Sequence, residues 1–161
     1  MVKFLGWSRK KKVKADIASA IYVSLLNNVI QDVVTKYENK QINVSIEKNL
    51  NINIRPNSIK RCLTNLIDNG LSYGKKVEIF SNKTKKNISI LIDDDGPGID
   101  KNEYQNVMKP FYRIDKSRGQ NKSGVGLGLS IANDIIRSHG GEISLDKSSL
   151  NGLRVKISLP L

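Results

Sequence analysis

Apolar positions in this chain change their spacing several times, and each change marks an element. Ile17, Ile21, Leu25 and Val29 recur every fourth residue, with Leu26, Ile30, Val33 and Tyr37 as a neighbouring stripe, so a helix is expected from Asp16 to about residue 37. Asn39 and Lys40 break it. Ile42, Val44 and Ile46 then alternate with Asn43, Ser45 and Glu47, which predicts a half-buried strand. Ile52 and Ile54 suggest a second short strand, stopped by Pro56. Ser58 is placed to cap a helix carrying Ile59, Leu63, Leu66 and Ile67 on one face and ending near Gly74. Val77 with Ile79, and Ile88, Ile90 and Ile92, predict two strands joined by a turn over 81–87. Gly96-Pro97-Gly98 forces a loop, and a short helix is expected around 101–108. Residues 113–123 are polar, basic and glycine-punctuated, the pattern of a mobile loop. A helix is expected over about 126–138, ended by Gly140-Gly141, and Ile143 and Leu145 with Val155, Ile157 and Leu159 predict a closing hairpin. The sum is an α+β chain: a two-layer α/β sandwich with a mixed sheet of about five strands and helices on one face. No internal repeat is present.

Length and composition add further constraints. At 161 residues the chain is most simply one domain from residue 16 to 161, preceded by a basic segment over 1–15. Phe4, Leu5 and Trp7 followed by Arg9-Lys-Lys-Lys12 and Lys14 read first as a flexible terminus. The second reading of residues 1–14 is a short interfacial anchor in weak contact with a membrane surface. Apolar runs fall far short of the ~20 residues of a membrane helix, and the basic residues follow the apolar ones, unlike a secretory signal. A single cysteine, Cys62, excludes an internal disulfide and suits the cytoplasm; its spacing with Ile59, Leu63 and Leu66 makes it a core residue. The net charge of +12 points to anionic partners, but a Lys, Asn and Ile bias in the chain accounts for most of it. No nucleic-acid-binding motif or interleaving of aromatics with basic residues is present, so no nucleic-acid partner is expected.

Candidate chemistry lies in the middle of the chain. Asn65, Asn69 and Tyr73 are spaced i, i+4, i+8 and share a helix face. Alone they would be a solvated surface; alternatively Asn69 offers a neutral oxygen to Mg²⁺, which takes most of its ligands from phosphates and water when bound with a nucleotide. Asp95 opens the Gly-Pro-Gly turn. It is either a turn-forming residue or an acceptor-only carboxylate that pairs with the 6-amino group of adenine, with Gly96 and Gly98 allowing close approach and Ile99 packing on the base. Asp93 and Asp94 extend the acidic run, but adjacent strand residues cannot all point one way. Gly124, Gly126 and Gly128, with Leu127 among them, lead into a helix N-terminus, where exposed amides favour anions. The loop fits neither a P-loop, lacking its Lys-Ser/Thr ending, nor the dinucleotide-binding glycine fingerprint. Between these motifs, Arg118 and Lys122 on a basic loop are placed to reach a γ-phosphate. His139 is expected at a helix C-terminus, where a cation is favoured, in a structural role. One histidine and one cysteine exclude a catalytic triad and a zinc site.

Asn65-Leu-Ile-Asp-Asn69 with Tyr73-Gly74, Asp95-Gly-Pro-Gly98, Pro110-Phe-Tyr-Arg113 and Gly124-Val-Gly-Leu-Gly-Leu129 stand in this order within about 65 residues. As a set they resemble the catalytic and ATP-binding domain of two-component sensor histidine kinases of the osmosensor type, over residues 25–161. The resemblance implies a Bergerat-type fold and ATP with Mg²⁺ as ligands. It assigns Asn69 to the metal, Asp95 to adenine, Phe111 to anchoring a lid, and Gly124, Gly126 and Gly128 to the lid hinge and phosphates. ATPase relatives carry a water-activating glutamate where this chain has Asn65, and a neutral amide is no general base. Phosphoryl transfer with little hydrolysis is therefore expected, with Asn65, Asn69 and Arg118 as the catalytic set. Ser72 departs from the Lys or Arg often found before the tyrosine, with Lys75 or Lys76 as substitutes. The family's helical hairpin with its acceptor histidine has no counterpart here, so a histidine-bearing dimerisation domain in trans, and through it a response regulator, are the expected partners. Location is expected in the cytoplasm, at the membrane's inner face through a partner if at all. A non-enzymatic nucleotide-binding remnant of a split or truncated kinase gene is the alternative.

Overall fold

The computed structural model describes residues 22–114 and 126–161. The first element, β1 (Tyr22–Leu25), corrects the helix expected from residue 16: the chain is extended here and pairs antiparallel with β3 (Asn51–Ile54) in a separate two-stranded sheet. Helix α1 (Leu26–Val34) then carries Leu26, Val29, Ile30 and Val33 inward and is followed by a 3-10 turn (Thr35–Tyr37). The i+4 stripe survives from Leu26 onward, whereas Leu25 belongs to β1, and Ile17 and Ile21 lie outside the described residues.

The main sheet has five strands in the order β2 (Gln41–Ser45), β4 (Lys76–Lys83), β5 (Asn87–Asp94), β7 (Leu153–Pro160) and β6 (Glu142–Lys147). Only β2–β4 is parallel, so the sheet is mixed as expected. The strands read in the sequence are present, with the β4–β5 turn confined to Thr84–Lys86 and the short strand at Ile52 and Ile54 placed in the small sheet.

Helix α2 (Pro56–Tyr73) starts with Pro56 in its first turn after Arg55, not with a Ser58 cap. Proline fits there because its missing N–H would be unpaired at a helix start anyway. Helices α1, α2 and α4 (Gly128–Arg137) bury Val29, Ile30, Ile59, Cys62, Leu63, Leu66, Ile67, Ala132 and Ile136 against Val77, Ile79, Ile88, Ile90, Ile92, Val155 and Ile157 of the sheet. The 101–108 region is a 3-10 turn (Lys101–Glu103) and a four-residue helix, α3 (Tyr104–Val107). Gly140, at φ +74°, reverses the chain after α4, and the Gly141 N–H donates to the Ile136 carbonyl.

α2 and α4 pack side by side, running in opposite directions. The end of α2 and the start of α4 therefore share one end of the helical layer, beside the C-terminal end of β5. The motifs dispersed in sequence converge there.

Candidate functional site

Asn65, Asn69 and Tyr73 occupy the last turns of α2. Asn65 is half-buried, and its Nδ2 is fully buried with no hydrogen-bond partner among the described residues. A buried donor without an acceptor is destabilising by about 1–3 kcal/mol; an anionic oxygen arriving from outside would remove that cost. The Asn65 carbonyl oxygen lies 3.7 Å from where a Cβ on Gly128 would stand, so α2 touches the first turn of α4. Tyr73 is 40% exposed at the rim. The Ser72 hydroxyl donates to the Asp68 carbonyl one turn back. Lys76 ion-pairs with Glu78 at 2.6 Å, which leaves Lys75 as the less committed of the two expected substitutes.

The three consecutive acids have three different environments. Alternation along β5 puts Asp93 on the face away from the helices and Asp94 on the helix side with Ile88, Ile90 and Ile92. Asp93 is fully buried and bidentate with Arg154, through Nε at 2.7 Å and Nη2 at 2.6 Å, and it also accepts from the Ser149 N–H and hydroxyl. Burial pushes its pKa up, but the hydrogen bonds from Arg154 and Ser149 outweigh burial and hold the carboxyl below the ordinary range. Asp94 is 7% exposed; its Oδ1 accepts from the N–H groups of Gly96 (2.9 Å) and Leu153 (3.1 Å). Its Oδ2 lies 3.8 Å from where a Cβ on Gly70 would stand, on the α2 side. Burial raises its pKa above the usual carboxylate value; the two amides offset this in part, and neighbouring Asp95 and Asp93 add to it.

Asp95 is exposed, and its Oδ1 accepts from the N–H groups of Lys75 (2.7 Å) and Lys76 (2.8 Å). Those amide bonds hold its carboxyl below the ordinary range. The residue singled out in the sequence thus ties the end of α2 to β4, and Asp94 is the acid whose remaining oxygen faces the helical layer. Gly96 lies against the Tyr73 backbone, Gly98 takes φ +70°, and Ile99 packs on the core edge.

Phe111 is 70% exposed at φ +63°, and its N–H donates to the Gly126 carbonyl at 3.0 Å. Gly126 takes φ +76°, and a Cβ there would meet the Tyr112 carbonyl oxygen at 2.9 Å. Leu127 precedes Gly128, the first residue of α4, and its carbonyl accepts from Ile131 N–H and the Ser130 hydroxyl. Arg118, Lys122 and Gly124 lie outside the described residues.

His139 is at the far end of the same helix pair. Its Nδ1 lies 2.7 Å from the Ile135 carbonyl, an obligatory acceptor, and its Nε2 lies 3.1 Å from the Arg55 N–H, an obligatory donor. With those partners Nδ1 is the donor and Nε2 the acceptor. This is the structural role expected of it: the ring is a wedge between the C-terminus of α4 and the N-terminus of α2. Among the described residues no group of three or more His, Cys, Asp or Glu side chains is placed to hold a metal ion, and no helix is long and apolar enough to cross a membrane.

Comparison with known proteins gives this geometry its family. Residues 54–161 match the model for histidine kinase-, DNA gyrase B- and HSP90-like ATPases. Sensor histidine kinase CpxA of Escherichia coli is 39% identical over 107 residues, 66% of this chain and 23% of CpxA. Sensor histidine kinase WalK of Bacillus subtilis is 33% identical over 119 residues, 71% of this chain and 20% of WalK. The match thus spans about a quarter or less of these relatives. Among solved structures, the kinase domain of the E. coli osmosensor EnvZ superposes with a TM-score of 0.68 at 30% identity, covering 88% of this chain and 89% of that one. The catalytic domain of histidine kinase ThkA gives 0.75 at 25% identity, covering 87% and 97%. The chain belongs to the histidine kinase-, DNA gyrase B- and HSP90-like ATPase family, as an ATP-binding catalytic domain of the sensor histidine kinase type.

Proposed function

We propose that this chain transfers the γ-phosphoryl group of ATP to a histidine on a separate domain or chain, for onward passage to a response regulator. The observation that carries the reading is Asp94. It is a buried carboxylate with one oxygen fixed by two backbone amides and the other turned toward α2 at Gly70, on the helix that also carries Asn65 against the start of α4. An ionised carboxylate only accepts hydrogen bonds, so it suits the adenine 6-amino donor and opposes the 6-oxo group of guanine or hypoxanthine. We assign the base to Asp94 in place of Asp95.

Gly96 and Gly98 allow the loop to approach the base, with Ile99 and Tyr73 beside it. We assign the phosphates to the start of α4, at Gly126, Leu127 and Gly128, where the N–H groups of a helix N-terminus and the helix dipole favour anions. By their place in the sequence we assign Gly124 and Arg118 to the same phosphates, with Phe111, bonded to the Gly126 carbonyl, as the anchor of the lid. The unpaired Asn65 amide is suited to a phosphate oxygen. The acid-poor donor set fits magnesium carried in with a nucleotide: Asn69 would hold it through Oδ1, with phosphates and water completing its shell. When bound, the ion supplies charge neutralisation at the phosphates.

In the transfer, the bond from the γ-phosphorus to the β,γ-bridging oxygen breaks and a bond to an imidazole nitrogen forms. ADP leaves with the bridging oxygen. Asn65 cannot take a proton from water, so transfer to water is slow. His139 is not suited as acceptor, since both its nitrogens are hydrogen-bonded inside the fold.

The test mixes the purified chain, γ-labelled ATP with Mg²⁺ and a separately expressed histidine-bearing helical hairpin. Label is expected on the hairpin in an acid-labile bond, with ATP turnover without the hairpin below ~1 per second. Tight ATP binding with no transfer to such hairpins would leave a nucleotide-binding module without kinase activity.

A further inference from the structure

The β6–β7 loop, Ser148–Gly152, lies against the acidic turn at its back. Its geometry is tight: Ser148 N–H donates to the Gly152 carbonyl at 3.0 Å, Ser148 Oγ accepts from Leu150 N–H at 2.9 Å, and Asn151 takes φ +72°. A Cβ on Gly152 would stand 2.2 Å from Asp94 Oδ1 and 2.7 Å from Gly96 N, so the loop backbone is in direct contact with the Asp94 carboxylate. Gly98 is backed by the same tip, its Cβ position 3.4 Å from the Gly152 carbonyl oxygen. Leu153 N–H fixes Asp94 Oδ1, and the next residue, Arg154, forms the bidentate pair with Asp93, the residue before Asp94. Ser149 N–H and hydroxyl close the loop onto the same Asp93 oxygen.

We propose that Arg154, Asp93 and Ser149 form a clamp that aims Asp94: it pins the β6–β7 loop so that Leu153 N–H holds Asp94 Oδ1 and leaves Oδ2 in one orientation for the base. Arg154 and Ser149 are thus specificity-determining positioning residues that act from the opposite face of the sheet without touching the nucleotide. This rests on the assignment of the base to Asp94. The physical reason is the number of rotors involved. A carboxylate held through one oxygen by two amides discriminates donor from acceptor only if those amides are themselves fixed. Leu153 N–H is fixed by its neighbours on both sides: Gly152 packed on Asp94 before it, and Arg154 locked to Asp93 after it. At metal sites, partners that orient a ligand from behind are worth about 10–100-fold in affinity, and the same logic applies to an oriented acceptor.

The experiment measures the affinities of the whole chain for ATP and for ITP, which carries a 6-oxo acceptor in place of the 6-amino donor. Arg154→Met is expected to lower the ATP-over-ITP preference about tenfold, and Ser149→Ala to lower it in the same direction by less. Arg154→Met leaves Asp93 buried without its cation and so endangers folding; Ser149→Ala keeps the ion pair and serves as the gentler variant. The preference is a ratio, so partial unfolding, which removes both affinities alike, does not move it. In an Asp94→Asn background neither substitution is expected to change the preference further, because the group they aim is gone. An unchanged preference in folded Ser149→Ala and Arg154→Met, with Asp94→Asn still abolishing it, would overturn the clamp while leaving the base assignment intact. If Asp94→Asn itself leaves ATP binding unchanged, the base assignment fails and the clamp with it.

Discussion

Replacing Asp94 by asparagine separates binding from stability and tests the acid that the fold selects. The asparagine Oδ1 can still accept from Gly96 and Leu153 N–H, so the turn keeps its shape. Its Nδ2 stands where Oδ2 stood and presents a donor to the adenine amino donor. A hydrogen bond to a charged acceptor contributes about 1.5–3 kcal/mol, and the mismatched pair adds the cost of an unpaired donor, about 1 kcal/mol or more. A total near 3 kcal/mol corresponds to roughly a 100-fold weaker Kd for ATP. ITP should lose less or gain, because Nδ2 can donate to its 6-oxo group. Stability moves the other way. The native pKa of Asp94 is raised, so the folded protein prefers the neutral form, and the charged form costs stability at every pH above that raised pKa. The neutral isostere removes the cost, so Asp94→Asn should melt higher than the native protein at pH 7. The difference should shrink as pH falls through the raised pKa, where native Asp94 gains its own proton. ATP affinity of the native chain should weaken in the same window. Calorimetric titration and thermal melts across a series of pH values from 7 downward measure both. Asp95→Asn is the control: its exposed side chain keeps an acceptor for Lys75 and Lys76 N–H. An ATP affinity reduced by Asp95→Asn and untouched by Asp94→Asn would refute the reasoning.

Three further outcomes follow from the packing. Gly152→Ala places a methyl group 2.3 Å from the Asp94 carbonyl oxygen; overpacking of this kind costs about 1–3 kcal/mol or more, so the melting temperature should fall by several degrees and ATP affinity with it. His139→Ala strands the Arg55 N–H and frees the ends of α2 and α4, and should destabilise by about 2 kcal/mol in denaturant titration. Because His139 lies at the end of the helix pair away from the site, the folded fraction should bind ATP normally. Cys62 is buried and its thiol is pushed up to about 12; a thiol reagent should label it only as fast as the protein unfolds, and ATP should slow the labelling further.

Much of this site is legible in the sequence because its parts are local. The Asn65–Asn69–Tyr73 face follows from helix period, and the turn at Gly96–Gly98 from glycine and proline chemistry. The acid on the helix side of the sheet was also within reach: Ile88, Ile90 and Ile92 are the buried face of β5, and continuing that alternation leads to Asp94, not Asp95. The turn-forming preference of aspartate draws attention to Asp95 instead, yet it is Asp94 that accepts from the N–H two residues on, that of Gly96, while Asp95 bridges Lys75 and Lys76. Two features were not legible. β1 is extended because its backbone pairs with β3, a non-local bond that the apolar stripe through Leu25 does not announce. The Arg154–Asp93 pair joins residues 61 apart, and nothing in the local pattern of either strand links them.

That separation has a kinetic meaning. β5 and β7 are central neighbours in the sheet, yet the chain between them holds α3, α4, β6 and the entire Phe111–Gly126 excursion. Closing a loop of about 60 residues costs roughly 3–4 kcal/mol of chain entropy before the contact returns anything. The cost grows only logarithmically, by about 0.6 kcal/mol per doubling. The hydrogen bond from the Phe111 N–H to the Gly126 carbonyl holds together the two described positions between which that segment runs. The length of chain between Phe111 and Gly126 can therefore drift over evolution at almost no expense to the seam where β5 meets β7, and Asp94 stays in register whatever is inserted between them.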